Sequence, residues 1–108
     1  MMIISYQFNS YVNALIKEFN NSDIEMCINI ENKVLKFIPN KYDFKTIREI
    51  FKEISLFPLQ NGKRISFKHI QPKELLECID RFKQWASLNG FMWQDDEAQW
   101  QRLYEQYS

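Results

Sequence analysis

The chain predicts a mixed α+β fold, and three features of the sequence carry that prediction. Apolar and polar residues alternate from Asp23 to Ile38, the period of a half-buried strand. After Tyr11, Asp43 and Pro72 the apolar residues recur at three- and four-residue spacing, the period of a helix with one buried face. Between these stretches stand Asn20-Asn21-Ser22, Pro39-Asn40, Asn61-Gly62 and Asn89-Gly90, residue types that turn a chain.

Taken in order, Met2, Ile4, Tyr6 and Phe8 alternate with Ile3, Ser5 and Gln7, which reads as a first strand over 2–8. The same residues also fit a helix running from Met2 to Phe19; the strand is preferred. From Tyr11 the stripe Tyr11, Val12, Leu15, Ile16 and Phe19 predicts a helix, with Asn9 or Ser10 able to cap it. Ile24, Met26, Ile28 and Ile30 then form a strand. Glu31-Asn32 turns the chain into a second strand from Lys33 to Ile38, which pairs Ile28 with Leu35 and Met26 with Phe37 on one apolar face.

Asp43 is positioned to cap a helix whose inward residues are Phe44, Ile47, Ile50, Phe51 and Ile54. Lys45, Arg48, Glu49, Lys52 and Glu53 are expected to face water, and Phe57-Pro58 closes the helix. Lys63 to Ile70 reads as a further strand, with Ile65, Phe67 and His69 on one side. Pro72 opens the next helix, in which Leu75, Leu76, Ile79, Phe82 and Ala86 make the stripe and Cys78 and Trp85 its margins. Asn89-Gly90 ends it, with Phe91 placed for the apolar contact of a Schellman motif. Asp95-Asp96-Glu97 starts the last helix near its positive dipole end, and the short link from Gly90 to Gln94 predicts an antiparallel helical hairpin.

The expected order is βαββαβ followed by two helices, a ferredoxin-like antiparallel sheet with a C-terminal hairpin. If residues 2–8 are helical, the alternative is a three-stranded antiparallel sheet with four helices. The whole of 1–108 is expected to form one domain, with 1–70 as sheet-and-helix body and 71–108 as helical hairpin. In topology this resembles the RNA-recognition module, which stacks bases on aromatic residues of its open sheet face. Here alternation sends Tyr6, Phe37 and Phe67 toward the helices. The open face would show residues such as Glu25, Cys27, Asn29, Lys36 and Lys68, which offer no stacking platform.

With 45% hydrophobic residues the chain has ample material for a core, and 14 basic residues balance 14 acidic ones. That balance argues against a protein whose main task is binding phosphates, and leaves a homodimer open. No basic leader precedes a long apolar region and no apolar run reaches the roughly 18 residues of a membrane span, so a cytoplasmic protein without membrane contact is expected. Ile, Asn, Lys and Phe richness points to an AT-rich bacterial or phage genome.

Motifs for chemistry are sparse. Two glycines 28 residues apart form no phosphate loop. Cys27 and Cys78 match no metal or redox spacing and are expected as free thiols. The sole histidine, His69, would lie across the sheet from Cys27, so the two are not expected to form a catalytic pair. The acids at 95–97 suit helix capping. Neither a metal nor a cofactor is expected, and no catalytic residue is assigned. What remains is a C-terminal concentration of aromatic residues. Trp100 and Tyr104 fit internal packing, while Trp93 and Tyr107 are expected to be more accessible; all four are candidate partner-binding residues. The expectation is a non-enzymatic protein-binding domain of the inhibitor, immunity or adaptor kind. Nucleic-acid binding through Lys63, Arg64 and Lys68 is the second reading and a small enzyme the third.

Overall fold

Helix formation begins earlier than the alternation predicts. In the computed structural model, which describes residues 6–94 and 97–107, helix α1 spans Tyr6–Asn20. Phe8 lies one turn before Tyr11 and Val12 and is buried with them and with Leu15, Ile16 and Phe19. A helix puts all six on one face, whereas a strand ending at Phe8 would separate it from that stripe. Tyr6 to Phe8 are therefore helical, a correction to the expected first strand; its remaining residues lie outside the described ones.

Strands β1 (Met26–Ile30) and β2 (Lys33–Phe37) pair in the expected antiparallel register, Ile28 opposite Leu35 and Met26 opposite Phe37. Glu31 and Asn32 both take left-handed φ values, 51° and 65°, as a two-residue turn between twisted strands requires. Met26, Ile28 and Phe37 are buried, while Cys27 on the opposite side is exposed. A single 3-10 turn, Pro39–Lys41, follows. The Asn20 amide ties it to the end of α1, donating to Pro39 O at 3.1 Å and Tyr42 O at 3.0 Å.

Helix α2 (Phe44–Ser55) is capped as expected: Asp43 Oδ1 accepts from Thr46 N at 2.8 Å. Hydrogen bonding from Thr46 also holds the Asp43 carboxyl below its ordinary pKa. The helix ends through Leu56, at φ 60°, with Phe57 N bonding Lys52 O at 3.0 Å. Arginines finish that end, Arg81 Nε donating to Ser55 O at 2.8 Å and Arg64 Nη1 to Phe57 O at 2.7 Å. Two residues expected in water are not there: Lys52 is buried and Arg48 is half-buried.

The cause is the next segment. Strands β3 (Leu59–Gln60) and β4 (Lys63–Arg64) form a two-residue ladder around the Asn61-Gly62 turn, and the strand expected to continue to Ile70 stops there. Residues 67–69 form a turn instead. Phe67 folds back onto α2, its ring 4.8 Å from that of Phe57 and 6.0 Å from that of Phe51. Packing one face of an aromatic ring against two others favours this turn over a few more hydrogen bonds on an open edge. This covers Arg48 and Lys52, and leaves His69 exposed rather than beside Phe67.

Helix α3 (Pro72–Leu88) buries its predicted stripe and also Cys78. It ends in a Schellman motif, Phe91 N bonding Ala86 O and Gly90 N bonding Ser87 O, each at 3.0 Å, with Gly90 at φ 92°. Helix α4 (Glu97–Tyr107) packs against α3 and also against the first turns of α1. Tyr107 meets Phe8 with ring centres 5.1 Å apart and Trp100 stacks on Tyr11 at 5.8 Å. Residue numbers rise along one helix as they fall along the other, so α4 runs antiparallel to α1.

The described residues thus hold four helices and two separate two-stranded antiparallel sheets. Neither the four-stranded ferredoxin-like sheet nor the three-stranded alternative is present among them. One buried cluster runs from Phe8 to Leu103 and takes side chains from all four helices and the first hairpin.

Candidate functional site

The aromatic residues singled out near the C-terminus are mostly spent on packing. Trp100 is buried between Tyr11 and Lys83, whose Nζ lies 5.0 Å from its ring centre. Trp93, expected to be accessible, is half-buried: its ring meets Phe91 at 4.4 Å and its indole N–H donates to Lys83 O at 3.2 Å. Tyr107 is likewise half-buried against Phe8. Tyr104, expected inside, is the exposed one of the four.

Nor does the fold gather the basic trio. Arg64 is committed to Glu53, Nε to Oε1 at 3.3 Å, and to the end of α2. Lys63 borders a depression shared with Glu31, Glu49 and Glu53. Lys68 lies apart from both, in a groove described below. His69 sits exposed in the 67–69 turn, and Cys27 on β1 offers its backbone N–H to Asn89 Oδ1 at 3.1 Å. Burial pushes the Cys78 thiol up, with Arg81 acting in the opposite direction. Among the described residues no three His, Cys, Asp or Glu side chains cluster as metal ligands. The acids at 95 and 96 fall outside the described residues. No described helix is long and apolar enough to cross a membrane.

Two surfaces on α2 stand out instead, and neither is marked by a sequence motif. The first is a saddle of about 450 Å³ between the first hairpin and the end of α2. Its apolar members are Ile28, Ile54, Leu56 and Trp85, and Glu31, Glu53 and Arg64 give it a polar rim. Trp85 is half-buried and stacks on Phe37, ring centres 6.2 Å apart and planes 13° off parallel. Leu35, the cross-strand neighbour of Ile28, adds a further 49% exposed side chain on the same face. Leu56 is 56% exposed and held in the left-handed region.

The second surface is a groove of about 530 Å³ between α2 and the 66–68 segment. Phe44 and Phe67 line it, with four cations, Lys45, Arg48, Lys52 and Lys68, against one carboxylate, Glu49. Lys52 Nζ lies 3.7 Å from Glu49 Oε1 and 5.6 Å from the Phe67 ring centre. The Arg48 guanidinium lies over Phe67 at 4.5 Å, and its Nε is shielded from water without an acceptor. Such a donor carries a desolvation penalty of about 1–3 kcal/mol until something accepts from it. Sequence periodicity assigns Lys45, Arg48 and Lys52 to a solvated helix face and Lys68 to the wet side of a strand; the inward fold of Phe67 brings the two together as a groove.

Neither a family model, nor a curated protein, nor a solved structure matches the chain.

Proposed function

We propose that the protein is a non-enzymatic protein-binding domain, an inhibitor, immunity-type or adaptor protein that acts by occupying its partner through the Trp85–Leu56 saddle. Leu56 carries the reading. The position that ends α2 needs a left-handed φ, which glycine adopts freely and a leucine only at a cost of about 1–2 kcal/mol. A leucine that is also largely exposed recovers little of that by packing within its own chain. Strain retained at an exposed apolar residue is the pattern of a binding surface. Trp85 beside it supplies a residue type that dominates interface energetics, and the charged rim is the usual surround of such a centre.

The test uses the tagged full-length protein as bait in an extract of its source cells, treated with nuclease, beside the variants Leu35→Glu and Leu56→Lys. Both side chains are exposed, and circular dichroism should show both variants folded. A protein retained by the wild type and depleted at least about tenfold from both variants, a loss of roughly 1.4 kcal/mol or more, is the expected result. Equal recovery on all three baits, or recovery of nucleic acid alone without nuclease, sinks the proposal.

A further inference from the structure

We infer that the groove between α2 and the 66–68 segment is an anion site that receives an acidic peptide segment, carboxylate side chains first, from the protein partner. The inference rests on the partner's being a protein, and it deepens that reading by naming what the partner presents.

Charge and unmet hydrogen bonding point the same way. Among the described residues Arg48, Lys45 and Lys68 take part in no ion pair, whereas Lys52, Lys36 and Arg64 each have a glutamate within 4.0 Å. Four cations against one carboxylate thus make the groove locally positive on a protein whose net charge is zero. A guanidinium binds a carboxylate through two parallel N–H bonds, and Arg48, in no ion pair and with a shielded Nε that lacks an acceptor, is the one guanidinium lining the groove. Phe44 and Phe67 beneath exclude water from the contact and so strengthen it.

The same geometry disfavours a nucleic acid. Bases need a free aromatic face, and the Phe67 ring already has Arg48 at 4.5 Å and Lys52 at 5.6 Å, with Phe51 and Phe57 also against it. The basic strip is also short. Glu49 stands within it, and Glu31 and Glu53 lie just beyond, so a phosphodiester chain would meet carboxylates as it left the groove. A few carboxylates on a peptide fit where a continuous polyanion does not. Helix α2 joins the two surfaces, residues 44–52 lining the groove and 53–56 the saddle. Its 12 residues span about 18 Å, so a partner that fills the saddle can place an acidic extension of five or six residues along the groove.

The experiment is a titration of the isotope-labelled full-length protein by NMR, following the Arg48 Nε–H resonance and the backbone amides of α2 and Ser66–Lys68. The probes are a capped hexaglutamate peptide, a capped hexaglutamine peptide, a six-nucleotide oligo-dT and inorganic phosphate. Hexaglutamate should shift the Arg48 Nε–H resonance saturably, hexaglutamine should not, and raising salt should weaken the effect. Affinity for hexaglutamate should fall roughly tenfold in Arg48→Gln and severalfold in Lys68→Gln. Lys68 is exposed, so the second variant remains informative if the first fails to fold. No saturable shift with hexaglutamate, unchanged affinity in Lys68→Gln, or tighter binding of oligo-dT or phosphate at the same resonances overturns the inference. Because Leu35 and Trp85 lie outside the groove, such a failure leaves the saddle to be judged by its own variants.

Discussion

Leu56 places two demands of the chain on one residue, a helix stop and an exposed apolar side chain. Leu56→Gly removes the backbone strain and should raise stability by about 0.5–1 kcal/mol in urea denaturation, after allowance for the freer unfolded chain. It should weaken partner capture at the same time, an opposition expected where a binding residue is held against its conformational preference. The cysteines separate in another way. Cys27 is exposed and Cys78 is buried with its thiol pKa raised, so a thiol reagent at neutral pH should label one cysteine of the native chain and two of the unfolded chain. Cys78 in the unfolded state ionises first as pH rises. Its contribution to stability is therefore full below about pH 8.5 and declines above it, and Cys78→Ser should flatten that alkaline decline. Two fast-reacting thiols in the native protein would contradict the burial of Cys78.

Elements bounded by their own residues were legible in the sequence, and those bounded by distant contacts were not. The Glu31-Asn32 turn and the alternation around it fix the register of β1 and β2, because a one-residue slip would move Met26, Ile28 and Phe37 to the wet face. Asp43, Pro72 and Gly90 likewise mark helix ends by local chemistry. The Gly90 end can be tested directly: a Cβ there meets nothing within 4 Å, so Gly90→Ala should cost only backbone strain, about 1–2 kcal/mol by denaturant unfolding. Ile65, Phe67 and His69 alternate as a strand would, but the aromatic pocket that pulls Phe67 out of line is built by Phe51 and Phe57 on another element. Phe8 fits both periods, and α4 decides between them by bringing Tyr107 to it. The groove follows from the same distant contact, so the position of Lys68 in the sequence marks a basic residue without showing its companions. The saddle was hidden for a related reason: Trp85 reads as a stripe margin, and the hairpin beside it is placed by tertiary packing.

At the scale of the whole molecule the short ladders contribute little on their own, and the four helices hold the chain together through one shared core. Trp100 connects α4 to α1 and α3 within that core. Trp100→Ala should lower stability by about 3 kcal/mol. Far-UV circular dichroism and fluorescence of the remaining tryptophans should still report one coincident transition, and two separated transitions would show that α4 unfolds independently. A small two-stranded sheet also has to finish its margins. Asn89 does so for β1: its Oδ1 takes the Cys27 N–H while its Nδ2 donates to Trp85 O at 3.0 Å. The side chain that caps α3 thereby occupies a rung that another chain would need for lateral pairing, and Lys33 and Lys36 put charge on the companion strand. Protection of the β1 edge is thus lodged partly in a single helix-end amide. Losing it would leave the Cys27 N–H open to lateral pairing with another chain.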